Sequence, residues 1–105
     1  MLKMSKEDFM KEAIKDAKDN NRSFGAIIVK DNKIISKAGK LSNSIPICHP
    51  ETQAIFNAIR KMSKNLGNCT LYSTCEPCAM CFYMAWLASI DEIVYGASLI
   101  DSIVL

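Results

Sequence analysis

Four residues of this 105-residue chain have the types and spacing to do chemistry together. They are His49 and Glu51 in His49-Pro50-Glu51, and Cys78 and Cys81 in Pro77-Cys78-Ala79-Met80-Cys81. His and Cys are zinc-type ligands, and three protein ligands leave one tetrahedral position for water, the mark of a catalytic site. Zinc lowers the pKa of a coordinated water to roughly 7, so hydroxide is available at neutral pH. Glu51 is a carboxylate that the coordination shell does not require, placed to carry protons as general acid and base. His49 is the chain's one histidine, so it is the nitrogen ligand if the site exists.

The spacing leaves other readings open. Cys75, Cys78 and Cys81 form a C-x-x-C-x-x-C run, and Cys75 as a fourth ligand makes a closed, structural Cys3His zinc site. An iron–sulfur cluster is a third reading, although the fourth cysteine of a ferredoxin-type run falls at Ala85. Glu51 tilts the balance toward catalysis, because a structural site has no need of it. Cys48 and Cys69 read as buried packing residues, and Met80 and Met84 as core filler. Five cysteines are an odd set, better explained by metal and burial than by a disulfide framework.

The elements that must position these groups follow from periodicity. Phe9, Met10, Ala13, Ile14 and Ala17 fall on one face of a helix predicted over Lys6 to Lys18, with charge opposite. Ser5 and Asp8 read as its capping box, and Asp19-Asn20-Asn21 as its end. Phe24 to Val29 is an apolar strand candidate, turned by Asp31-Asn32 into a hairpin partner over Lys33 to Ala38. After a loop from Gly39 to Cys48, a helix is predicted from Glu51 to Lys64, burying Ala54, Ile55, Ala58, Ile59 and Met62. Gly67-Asn68 breaks the chain before a strand over Cys69 to Ser73; a helix over Cys78 to Ala88 and a strand over Glu92 to Gly96 follow. Pro50 and Pro77 suit helix starts, and a helix N-terminus favours thiolate over thiol. Two helix starts meeting head-on would hold the His-Cys-Cys set. The order of elements predicts an α/β layer with helices packed on a mixed sheet.

Bulk composition narrows the class. The length suits a single domain over residues 1–105. Half of the residues are hydrophobic and 23% charged, which is a globular balance. A net charge of +2 is too small to argue for nucleic acid or an anionic membrane. The apolar run from Met80 to Ile90 is shorter than a membrane span. The first residues lead straight into charged sequence rather than a secretory segment, so a cytoplasmic protein is expected.

The two motifs together resemble the cytidine and deoxycytidylate deaminase superfamily, whose signature is H-x-E followed by P-C-x-x-C. The resemblance extends through Phe24 to Val29, Glu51 to Ile55, Leu71 to Glu76 and Ile93 to Ala97, and is similar to the branch of guanine deaminases and tRNA adenosine deaminases. It implies a three-layer sandwich with a mixed sheet flanked by helices, and a homodimer or larger assembly. It implies Zn2+ held by His49, Cys78 and Cys81, with zinc-bound hydroxide attacking the amino-bearing ring carbon of a nucleobase or nucleoside. Glu51 is then the proton shuttle, and Phe24, Ala26 and Asn43 are the substrate-binding candidates.

The chain departs from the pattern in places. Pro50 stands for the usual alanine, and Tyr83 and Met84 for smaller residues, which implies a repacked pocket or a displaced neighbour. Ser89 stands where many relatives carry arginine. Relatives continue beyond Leu105, so a member lacking the usual C-terminal elements is expected. Guanine deaminase-like chemistry is the leading reading, from the Cys75-Glu76-Pro77 lead-in. Adenosine deamination in tRNA is the second, with Lys30, Lys33, Lys37 and Lys40 as a basic face. A non-catalytic, zinc-stabilised remnant is the third.

Overall fold

A computed structural model describes residues 4–41, 49–62 and 66–97. Strands β1 (Ala26–Lys30), β2 (Lys33–Lys37), β3 (Cys69–Cys75) and β4 (Glu92–Ala97) form one sheet in the order β2-β1-β3-β4. β1 runs antiparallel to β2 and β3, and β3 runs parallel to β4, so the sheet is mixed. Successive side chains along a strand face opposite sides. On one side Ile27, Val29 and Tyr72 meet Phe9 and Ala13 of helix α1 (Lys6–Asp19). On the other, Ala26, Ile28 and Leu71 meet Ala54, Ile55 and Ala58 of α2 (Pro50–Met62) and Ala85 of α3 (Ala79–Leu87). This is the three-layer α/β arrangement that the sequence predicts. Because both faces of β1 are covered, it reads as an unbroken apolar run. Ile27, Ile28, Ile55 and Leu71 are fully buried, each contributing about 1.5–3 kcal/mol.

Local chemistry sets the boundaries. Ser5 caps α1: its hydroxyl accepts from the Asp8 amide at 3.2 Å, and its own amide donates to Asp8 Oδ2 at 3.0 Å. Asp31 and Asn32 both take positive φ (51° and 61°), the backbone of a two-residue primed turn that matches strand twist. Gly25 lets α1 approach the sheet: a Cβ there would lie 2.1 Å from the Ala13 carbonyl oxygen.

Helical periodicity misjudged two positions on α1. Ile14, placed on the buried face, is 41% exposed, while the charged Asp16 is 3% exposed. The carboxylate can be buried because it is paired and bonded. It accepts from Arg22 Nη2 at 2.7 Å, the Gly39 amide at 2.9 Å and the Ala26 amide at 3.2 Å. The predicted strand start at Phe24 also moves, since pairing begins at Ala26. Cys69 is buried, as expected, and Cys48 lies outside the described residues.

Candidate active site

Two helix starts deliver the ligands. The Gln53 amide donates to the His49 carbonyl at 2.9 Å, which places His49 immediately before α2 with Pro50 as its first residue. Thr52 fixes the His49 backbone twice: its hydroxyl accepts from the His49 amide at 3.0 Å and donates to the His49 carbonyl at 2.9 Å. Cys78 is the N-cap of α3, so it precedes the helix rather than beginning it, and Cys81 lies in the first turn. The sulfurs therefore share a side, as their spacing predicts.

His49 Nδ1 lies 3.6 Å from each sulfur, and the sulfurs are 3.5 Å apart. Bonds of about 2.3 Å to sulfur and 2.0–2.1 Å to nitrogen give tetrahedral edges of about 3.8 Å between sulfurs and 3.5 Å from sulfur to nitrogen. The donor set fits zinc. Among the described residues, the group of donors close enough to share an ion comprises His49, Cys78 and Cys81, and does not include Cys75. Three donors with an open position favour the catalytic arrangement over the closed Cys3His and cluster readings. Burial pushes the Cys81 thiol far above its ordinary range, and the Glu51 charge and Cys78 push it further. A dication held at this point would reverse that balance and keep the sulfur as thiolate.

Glu51 is 5% exposed. Its Oε2 lies 3.5 Å from Cys81 Sγ, and its Oε1 lies 2.8 Å from the Ser73 hydroxyl of β3. A cavity of about 300 Å3 opens beside it, lined by Phe24, His49, Pro50, Glu51, Cys75, Glu76 and Cys78. That is the small end of ligand sites, which run from about 300 to 1,000 Å3.

Residues 3–97 match the family model for the cytidine and deoxycytidylate deaminase zinc-binding region. The chain belongs to this deaminase family. It is 41% identical over 104 residues to a tRNA-specific adenosine deaminase of Aquifex aeolicus, covering 90% of this chain and 67% of that protein. It is 36% identical to a probable cytosine deaminase of Schizosaccharomyces pombe, covering 86% of this chain and 59% of the relative. The crystal structure of Bacillus subtilis guanine deaminase superposes with a TM-score of 0.86 at 33% identity, covering 95% of this chain and 69% of that one. The chain thus spans roughly three-fifths to two-thirds of the length of these relatives.

The structure of this deaminase-family chain brings His49, Glu51, Cys78 and Phe24 to one cavity, with the buried Cys81 sulfur 3.6 Å from His49 Nδ1. Ala26 does not line that cavity: it is fully buried between the sheet and α2, and its amide donates to Asp16. Asn43 lies outside the described residues. Tyr83 and Met84 leave the cavity alone. Tyr83 is 61% exposed and stacks on Trp86 at 5.8 Å, while Met84 packs on the α2 core. Sequence reasoning missed Ser73 and Thr52. Ser73 carried a signal, since alternation from Leu71 turns it toward α2.

Proposed function

We propose that this chain catalyses zinc-dependent hydrolytic deamination of a nucleobase or nucleoside, with guanine the first candidate. The observation that carries the reading is a buried carboxylate, Glu51, set between the His-Cys-Cys donors and a small cavity. His49 Nδ1, Cys78 Sγ and Cys81 Sγ would hold the ion, which when bound would supply the Lewis acidity that makes water a nucleophile near pH 7. Glu51 would take one proton of the attacking water and give it to a ring nitrogen as the C–O bond forms, then take the second from the new hydroxyl and give it to the amine as the C–N bond breaks and ammonia leaves. Phe24, 46% exposed at the cavity, presents a ring for the base to stack on. Asn43 is retained as a candidate for reading the base's polar edge.

A second reading, adenosine deamination within tRNA, is favoured by the 41% identity to the Aquifex protein. Lys33, Lys37 and Lys40 are exposed, although Lys37 lies 3.8 Å from Glu12. We read all 105 residues as one domain that self-associates, with the exposed Tyr83, Trp86 and Leu87 of α3 as the contact. Among the described residues no helix is long and apolar enough to cross a membrane.

The deciding experiment is an ammonia-release panel with guanine, cytosine, cytidine, adenosine and tRNA, run beside metal analysis. Guanine turnover with one zinc per chain supports the first reading. Turnover of tRNA alone, with binding that weakens steeply as salt rises, supports the second. One zinc with no turnover of any substrate leaves the non-catalytic remnant.

A further inference from the structure

We propose that Ser73 is the positioning residue for the Glu51 carboxylate: its hydroxyl ties down Oε1 so that Oε2 alone faces the metal ligands. The inference rests on Glu51 being the proton carrier and goes one layer deeper into the scaffold. Ser73 is fully buried at the centre of the sheet, paired to Ala26 on β1 and to Tyr95 on β4. Its Cα therefore has little freedom, and what its side chain holds is held rigidly. Glu51, by contrast, sits in the first turn of α2 on a side chain with three rotatable bonds. Without a tether, a buried carboxylate 3.5 Å from Cys81 Sγ has an obvious competing destination, the ion itself.

Ser73 Oγ makes three contacts: Glu51 Oε1 at 2.8 Å, the Cys75 carbonyl oxygen at 2.6 Å, and the Cys75 amide at 3.4 Å. A hydroxyl has one proton to give and two lone pairs to accept with. The Cys75 amide donates to it, and the Cys75 carbonyl can only accept. The single hydroxyl proton therefore serves either the carbonyl or the carboxylate, and Glu51 Oε1 at 2.8 Å is one of its two acceptors. The contact with Oε1 depends on that hydroxyl, which an alanine or valine at this position could not reproduce.

Two measurements test the assignment. In cobalt(II)-loaded protein, Ser73→Ala shifts the visible ligand-field bands, and the same change in a Glu51→Gln background leaves them where that background put them. Bands that do not move, or that move equally in both backgrounds, overturn the proposal. In zinc-loaded protein with a substrate found by the panel, Ser73→Ala lowers kcat about tenfold to a hundredfold with KM within about twofold and zinc content unchanged. Ser73→Thr, which keeps the hydroxyl and suits a strand, recovers most of the loss. An unchanged kcat, or a fall accompanied by lost zinc, overturns it. If the wild-type chain turns over nothing, the functional reading fails by itself and the cobalt cycle still decides what Ser73 does.

Discussion

Arg22 Nη2 meets Asp16 Oδ2 at 2.7 Å, with the two side chains 13% and 1% exposed. The same guanidinium donates to the Gly39 carbonyl at 2.9 Å and to the Phe24 carbonyl. One buried pair thus ties the end of α1 to the segment after β2 and to the cavity's aromatic wall. Removing one partner of such a pair strands the other, at about 3–5 kcal/mol. Asp16→Asn is expected to lose that much stability in urea unfolding, and a loss below ~1 kcal/mol, the surface-pair range, would contradict the buried assignment.

Gly25→Ala is expected to destabilise the fold through a smaller change. A methyl there would meet the Ala13 carbonyl at 2.1 Å and the Ala17 amide at 2.8 Å. Both neighbours are helix backbone, so α1 must lift from the sheet. Overpacking costs about 1–3 kcal/mol or more, readable as a lower denaturation midpoint. A midpoint equal to wild type counts against the close α1–β1 approach.

Glu51→Gln keeps the size of the side chain and removes its basicity. Zinc content is expected to hold near one per chain while ammonia release falls by about 10²–10⁴-fold. Retained turnover would assign the proton to another group.

The Cys81 thiol gives metal-free and zinc-loaded protein opposite responses to pH. Burial, then Glu51, raises its pKa above the ordinary 9.0. In metal-free protein the unfolded chain ionises first, so folding stability is full below pH 9 and declines as pH rises beyond it. Zinc binding displaces the thiol protons, so zinc affinity weakens as pH falls. Thermal melts with and without chelator from pH 6 to about 10 check both directions. Cys81→Ala should flatten the metal-free curve and abolish tight zinc binding.

Much of this architecture was legible because it follows local rules. The Ser5–Asp8 cap, the Asp31-Asn32 turn, the proline-led helix starts and the two-cysteine spacing each depend on neighbours within four residues. The misreadings came from partners far along the chain. Asp16 is buried because Arg22, Ala26 and Gly39 converge on it, and helical periodicity has no access to that. Ser73 reaches Glu51 across 22 positions, so only the strand pairing reveals it.

Strand β3 is held on both sides, by β1 and by β4, and its residues alternate between the α1 face at Tyr72 and the α2 face at Leu71 and Ser73. A slip of one residue turns every side chain to the opposite face. Inserting or deleting a single residue within Cys69–Cys75 would therefore trade the Ser73 hydroxyl for that of Tyr72 or Thr74, in a different place. The strand behaves as a spatial reading frame, in which the number of residues counts for as much as their identity.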